Sequence, residues 1–214
     1  MERKDRIDFV IYTIGHSIHS IEAFISLLKA AGVTAVADVR SAPYSRFQPQ
    51  FNREALEKSL DEAEIEYVFL GDELGGRSPN ESDFEDGRVV YSRLRQRSAF
   101  DKGLERVIAG SQKYVLALMC TEKEPLDCHR TLLVAQALTE QGVEMSHIHG
   151  DSSLETHDAA VQRLLKLHKL DEEDLFRSDH DLVSEAILKQ EQKIAFTSRA
   201  PGTDTNVKDS QGAA

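Results

Sequence analysis

Between residues 9 and 150, five short runs of apolar and β-branched residues alternate with stretches whose apolar positions recur every three or four residues. The runs cover residues 9–14, 33–39, 66–70, 114–119 and 143–148. Runs of this length without polar alternation suit strands buried on both faces, the environment of a parallel sheet. Parallel neighbours need a long crossover, and the helical stretches between the runs supply one each time. The expected fold is therefore α/β, a three-layer α/β/α sandwich. Its mostly parallel sheet has about five strands, Rossmann-like or flavodoxin-like, and C-terminal helices are added to it.

Local signals punctuate the helices. In the first, Ile21, Phe24, Ile25 and Leu28 share a face, Ser20 can cap the start and Gly32 the end. Asn52 opens a second that runs to about residue 62, and a third spans about residues 91–108. Asp127 can cap a fourth over residues 128–141, which Gly142 closes. Residues 77–90 are polar, carry Pro79 and Gly87, and read as a long loop or lid. Residues 153–169 and 171–190 read as two further helices, with Leu154, Val161, Leu164, Leu165 and His168 on related faces of the first. The organisation expected is an α/β domain over residues 8–150 and a helical extension over residues 151–192. The apolar face of that extension suits either the sheet or a second copy. Residues 193–214 are rich in Ser, Asp, Gly, Thr and Ala and are expected to be a disordered tail.

Composition sets the outer bounds. A chain of 214 residues can bury a substantial core, and a 40% apolar, 29% charged composition is that of a globular protein. No apolar run approaches the roughly 18 residues of a membrane span, and the first eight residues are too charged for a secretory leader. The expectation is a cytoplasmic protein without a membrane partner. A net charge of −11 argues against broad binding to nucleic acid, while leaving room for a local basic pocket. Arg88, Arg93, Arg95 and Arg97 fall close together, either as a solvated face or as a rim that attracts an anion.

In an open parallel sheet, ligands bind where strands end, because the loops and helix N-termini there face one crevice. The residues after each run are unusually rich in chemistry. Gly15, His16 and Ser17 follow the first run; Arg40, Ser45 and Arg46 follow the second; Gly75, Gly76 and Arg77 follow the third. Cys120, Glu122, Cys128, His129 and Arg130 follow the fourth, and His149-Gly150-Asp151 the fifth. The opposite ends carry only residues such as Gly32, Glu64 and Gly142. Glycines let a backbone approach a ligand, and arginines grip anions in two-pronged fashion. Cys128, at a helix start beside His129 and Arg130, is placed for a lowered thiol pKa. Cys120 is the second candidate nucleophile, and Glu122, His16 and His129 are candidates for proton transfer.

Several chemistries fail on spacing. Seven residues separate the two cysteines, which excludes haem attachment and the dithiol Cys-x-x-Cys, and two cysteines alone cannot make a zinc cage. A phosphatase loop needs an arginine six positions after its cysteine; Leu126 and Val134 stand there instead. The glycine-rich dinucleotide and P-loop patterns are absent. The residues name no cofactor. A metal held by Cys120, Cys128 and His129, with His16 as a further donor, stays open as an alternative.

Taken together, Thr13-Ile-Gly15-His16-Ser17, Asp38-Val-Arg40 with Pro43 and Ser45, Leu74-Gly75-Gly76 and Cys120-x-Glu122-x-x-Pro125-x-x-Cys128-His129-Arg130 resemble the domain-of-unknown-function 488 family. The resemblance runs over about residues 10–150 and implies a compact α/β domain with both cysteines in its site. It also implies an enzyme, since the family has been suspected of catalysis on account of those cysteines. The expected function is a small enzyme acting on a nucleotide-like or phosphate-like anion at the Cys/His/Arg site. The alternative is a non-catalytic module that binds or senses an anion or a metal.

Overall fold

The computed structural model describes residues 9–171 and 177–198. The expected tail over residues 199–214 lies outside the described residues, as do residues 1–8 and 172–176. The first half alternates as the pattern predicts: β1 (Val10–Gly15), α1 (Ile21–Ala30), β2 (Ala35–Asp38), α2 (Arg53–Asp61) and β3 (Glu66–Phe69). A four-residue helix α3 (Gly71–Leu74) follows. A small hairpin of β4 (Phe84–Glu85) and β5 (Arg88–Val89) comes next. Then come α4 (Tyr91–Arg95), α5 (Ser98–Ser111), β6 (Leu116–Cys120), α6 (Gln136–Glu140) and β7 (Glu144–Ile148). The chain continues through β8 (Leu154–Thr156), α7 (His157–Leu167) and α8 (Asp179–Ile194).

The sheet has six strands in the order β3-β2-β6-β1-β7-β8, all parallel except β8, which runs antiparallel to β7. Helices cover both faces, giving the three-layer α/β/α arrangement. On one face, Phe24 and Leu28 of α1 and Leu56 and Leu60 of α2 pack on Ile14, Val36, Ala117 and Met119. On the other, Phe100, Leu104 and Val107 of α5 and Leu133 and Leu138 near α6 pack on Ala37, Leu116 and Leu118. β6 is buried along its whole length, and its residues alternate between the two cores. That two-residue period aims Cys120 at the α5/α6 face. Leu164, Leu165, Leu182 and Ala186 belong to the same core, so the C-terminal helices pack back onto the sheet.

The strand order positions the site. α1 and α2, which leave β1 and β2, lie on one face, whereas the segment leaving β6 crosses to the other. Because β6 sits between β2 and β1, its end is where the connections diverge. Divergence of this kind opens a crevice beyond the strand ends. The order differs from the doubly wound 3-2-1-4 and 2-1-3-4 arrangements in having β6 inserted between β1 and β2.

Several boundaries move for identifiable reasons. The helix expected from residue 153 begins at His157, because the Thr156 hydroxyl accepts the Ala159 N–H at 3.2 Å. The residues before it are drawn into the edge strand β8 instead. The helix expected over residues 91–108 breaks at Gln96–Arg97, where Arg97 turns extended and pairs with Asp83 at 3.0 Å. Asp127 does not cap the helix after the cysteines. It lies in a 3₁₀ turn, Pro125–Asp127, that Glu124 caps, and its carboxylate accepts from Gln190 at 3.0 Å. Cys128 takes the capping place: its carbonyl accepts from Thr131 and Leu132, and its sulfur from the Arg130 N–H at 3.4 Å. The first turns beyond it, Arg130–Ala135, are π-helical. Such widened turns concentrate at functional sites. Residues 195–198, assigned to the tail by composition, pair with the hairpin: Val89 N–H donates to Phe196 and Ser198 N–H to Gly87.

Candidate functional site

Beyond the end of β6 lies an open pocket of about 180 Å³ with both cysteines in its lining. Four groups converge there. The Sγ atoms of Cys120 and Cys128 each lie 3.0 Å from the same carboxylate oxygen, Glu122 Oε2. His129 Nδ1 faces both sulfurs, 3.7 Å from Cys120 and 3.9 Å from Cys128. Its other nitrogen, Nε2, is 2.9 Å from the Val39 carbonyl. A carbonyl only accepts, so Nε2 carries a proton and Nδ1 is the nitrogen directed at sulfur. A Cβ on Gly76 would sit 2.7 Å from His129 Cγ, so only glycine lets this ring lie where it does. Gly15 does the same for Glu122, whose carbonyl occupies the space a methyl group would need.

Beneath the cluster, Arg130 is fully buried. Its guanidinium donates to the carbonyls of Glu122 (2.7 Å) and Lys123 (3.3 Å) and to the Thr13 hydroxyl (3.4 Å). Among the described residues no carboxylate pairs with it. A buried cation without an ion partner favours negative charge nearby. Burial resists ionisation of Cys128. The hydrogen bond with Cys120, the charge of Arg130 and the imidazole of His129 nonetheless hold its thiol well below the ordinary range. Burial and the neighbouring Cys128 and Glu122 push Cys120 well above that range. Glu122 is raised by burial and by Cys128. Burial lowers His129, but the hydrogen bond and charge of Cys128 outweigh it and raise the imidazole. The cluster thus favours a Cys128 thiolate paired with a His129 imidazolium, with Cys120 as a neutral thiol.

The other residues singled out by the pattern divide into three groups. Arg40 and Gly76 line the pocket with the cluster. Most of the Arg40 fork is spent on structure: it grips Asp38 through Nε (2.9 Å) and Nη2 (2.6 Å), donates to the Phe51 carbonyl and reaches His16 Nε2 at 3.2 Å. Four of its five N–H groups are therefore engaged, leaving one for the pocket. Gly15, His16 and Arg130 form the layer behind. His16 Nδ1 donates to the Ser17 carbonyl at 3.0 Å, and the ring stacks on Phe51 at 4.2 Å. Burial and the Arg40 charge hold His16 down at about 4, so it is a neutral acceptor for Arg40. Ser17, Ser45, Arg46 and Gly75 lie outside the lining. Ser45 Oγ accepts from Phe47 and Gln48, and Arg46 lies over the Phe47 ring at 4.6 Å.

Among the pocket-lining residues not marked as site candidates are Arg77, Tyr91, Ile194 and Phe196. Arg77 stands with Gly75 and Gly76 after the third run, though it was not counted as a ligand-binding candidate, and no carboxylate pairs with it among the described residues. Its guanidinium lies over the Phe196 ring at 4.6 Å. Ile194 and Phe196 carry no local signal, because they arrive from the far end of the chain. Cys120, Cys128 and His129 could hold a metal ion, with their donor atoms all within 4.8 Å of one another.

No curated protein and no solved structure matches this chain. The family described as Domain of unknown function DUF488 matches over residues 20–137. That stretch holds Arg40, Gly76, both cysteines and Arg130, and it leaves out β1, Ile194 and Phe196. With more than half of the chain and the whole thiol cluster inside the match, the protein belongs to the DUF488 family.

Proposed function

We propose that this protein is a small enzyme acting on a small anionic substrate, with Cys120, Glu122, Cys128 and His129 as its reactive centre. The observation that supports it most is the sharing of one Glu122 oxygen by two thiols, at the floor of a pocket with Arg40 and Arg77 in its lining. The remaining N–H of Arg40 and the Arg77 guanidinium, with which no carboxylate pairs among the described residues, attract the anion. Cys128 supplies a thiolate, and Glu122, whose carboxyl is pushed upward by burial and by Cys128, exchanges protons with the bound molecule. His16 acts one step back in this reading, by orienting Arg40.

Size narrows the substrate. A cavity of about 150 Å³ accepts a molecule the size of benzene, and this pocket is close to that at about 180 Å³. A phosphate or a small carboxylate is accommodated, whereas a nucleotide would have to leave its base outside. The test begins with thermal-shift measurements against phosphate, sulfate and a panel of small carboxylates. An anion that binds only the folded state raises the melting temperature. Stabilising anions then guide a turnover screen. Single Cys120→Ser and Cys128→Ser variants are expected to fold and to lose turnover. Full activity in both would remove the cluster from the chemistry, and stabilisation without turnover of any tested compound would make the pocket a sensor.

A further inference from the structure

We propose that the thiol cluster is a binding site for a borderline-soft divalent cation of the zinc or ferrous type, with Cys120 Sγ, Cys128 Sγ and His129 Nδ1 as its three protein ligands. The proposal rests on the reading of this cluster as the working centre and names its cofactor class. It makes the two thiolates ligands and leaves Glu122 to handle protons.

The first argument is spacing. Metal bonds of about 2.3 Å to sulfur and about 2.0–2.1 Å to nitrogen, at tetrahedral angles, separate S from N by about 3.6 Å. The two S–N separations here are 3.7 and 3.9 Å, within a few tenths of an ångström of that value, and all three donor atoms lie within 4.8 Å of one another. The second is orientation. An imidazole that ligates through one nitrogen characteristically donates its other N–H to a carbonyl or carboxylate, which fixes the tautomer. His129 has that arrangement, with Nε2 on the Val39 carbonyl and Nδ1 facing the sulfurs. The missing Cβ of Gly76 leaves the room this ring position needs. The Arg130 N–H is 3.4 Å from Cys128 Sγ, where it steadies a ligating sulfur.

Charge is the third argument. Two thiolates and the Glu122 carboxylate carry three negative charges. A divalent cation and the buried Arg130 carry three positive ones, so the filled centre is neutral and Arg130 gains its missing counter-charge. Donor type selects the ion: two sulfurs and one imidazole favour zinc or iron over magnesium or calcium, which prefer oxygen. Three protein ligands are one fewer than a closed structural zinc site uses. All three line the pocket, so the remaining coordination position is accessible to the small anion.

The test uses the full chain without an affinity tag, stripped with a chelator. Cobalt(II) titration is expected to give a thiolate-to-cobalt absorption band that saturates at one equivalent and is bleached by zinc. The band should vanish in Cys120→Ser and Cys128→Ser, and His129→Gln should weaken binding by at least about tenfold. A second measurement needs no variant: zinc should protect both cysteines of the wild-type protein from iodoacetamide. A missing cobalt band, a band unchanged in Cys128→Ser, or cysteines labelled equally with and without zinc would overturn the proposal. If anions still stabilise the metal-free protein in that event, the pocket reading survives and only the cation is lost.

Discussion

At the scale of single residues, the site is set by where side chains are missing as much as by where they are present. Gly76 is the clearest case, because its missing Cβ is what lets His129 reach both the Val39 carbonyl and the sulfurs. The ring cannot yield to a new methyl group without breaking the Nε2 bond, since Val39 is fully buried backbone. Gly76→Ala is therefore expected to cost about 1–3 kcal/mol, the usual penalty for overfilling a packed site. Urea unfolding measures it, and a change smaller than a few tenths of a kcal/mol would mean the ring has another place to go. The sequence marked Gly76, Cys120, Glu122, Cys128 and His129 because each lies at a strand end or in the connection that leaves one. Arg46 and Ser45, which also follow a strand, lie outside the pocket lining, because a position after a strand does not say which way a long loop turns. Here residues 43–48 fold outward, with Ser45 Oγ bonded to the Phe47 and Gln48 N–H groups.

Among the elements, β1, β2, β6 and β7 were legible because burial in the sheet interior leaves a largely apolar run, and the edge strand β3 because Tyr67, Val68 and Phe69 are strong strand formers. β8 was not, since a three-residue edge strand beside a helix start carries no periodicity of its own. Nor was the way the C-terminal extension closes the pocket. α8 is anchored by Gln190, which donates to the Leu126 carbonyl and Asp127, and by Glu191, which accepts the Tyr91 N–H at 2.8 Å. Those bonds carry residues 195–198 to the hairpin of β4 and β5 and seat Phe196 beneath Arg77. Phe196 thereby forms a wall of the pocket that the DUF488 match does not include. Phe196→Ala should widen the opening on that side. In metal-free protein the labelling of Cys128 by a bulky maleimide is then expected to accelerate several-fold more than its labelling by iodoacetamide. Equal acceleration of both reagents would point to general loosening rather than to a wall removed.

Across the whole molecule, one buried polar chain links the site to the far surface, and it fixes how stability depends on pH. Arg130 Nε–H points at the Thr13 hydroxyl, which lies 2.7 Å from His147 Nδ1; His147 Nε2 is 3.2 Å from His157 Nδ1, and His157 Nε2 is 3.1 Å from Gln136 Oε1. Gln136 then donates to Glu140 at 3.1 Å. Arg130 can only donate and the Gln136 oxygen can only accept, so every link donates outward and both histidines are neutral Nε2–H tautomers. Burial, with the charge of His157 adding to it, lowers His147 to about 2; burial lowers His157 to about 4. In the unfolded chain both return to about 6.5. Below that value the unfolded state binds protons that the folded state refuses, so stability falls as pH drops through 6.5 toward 4. Each histidine contributes a loss of about 2 kcal/mol at pH 5. His16, also lowered to about 4, acts in the same direction, and the raised His129 offsets part of it. The melting temperature is expected to fall between pH 7 and pH 5, and His157→Gln, which keeps a donor and an acceptor without a titrating ring, should flatten that fall. A melting temperature that stays level in the wild-type protein, or an equally steep fall in the variant, would show that these histidines are not the groups that couple folding to protons.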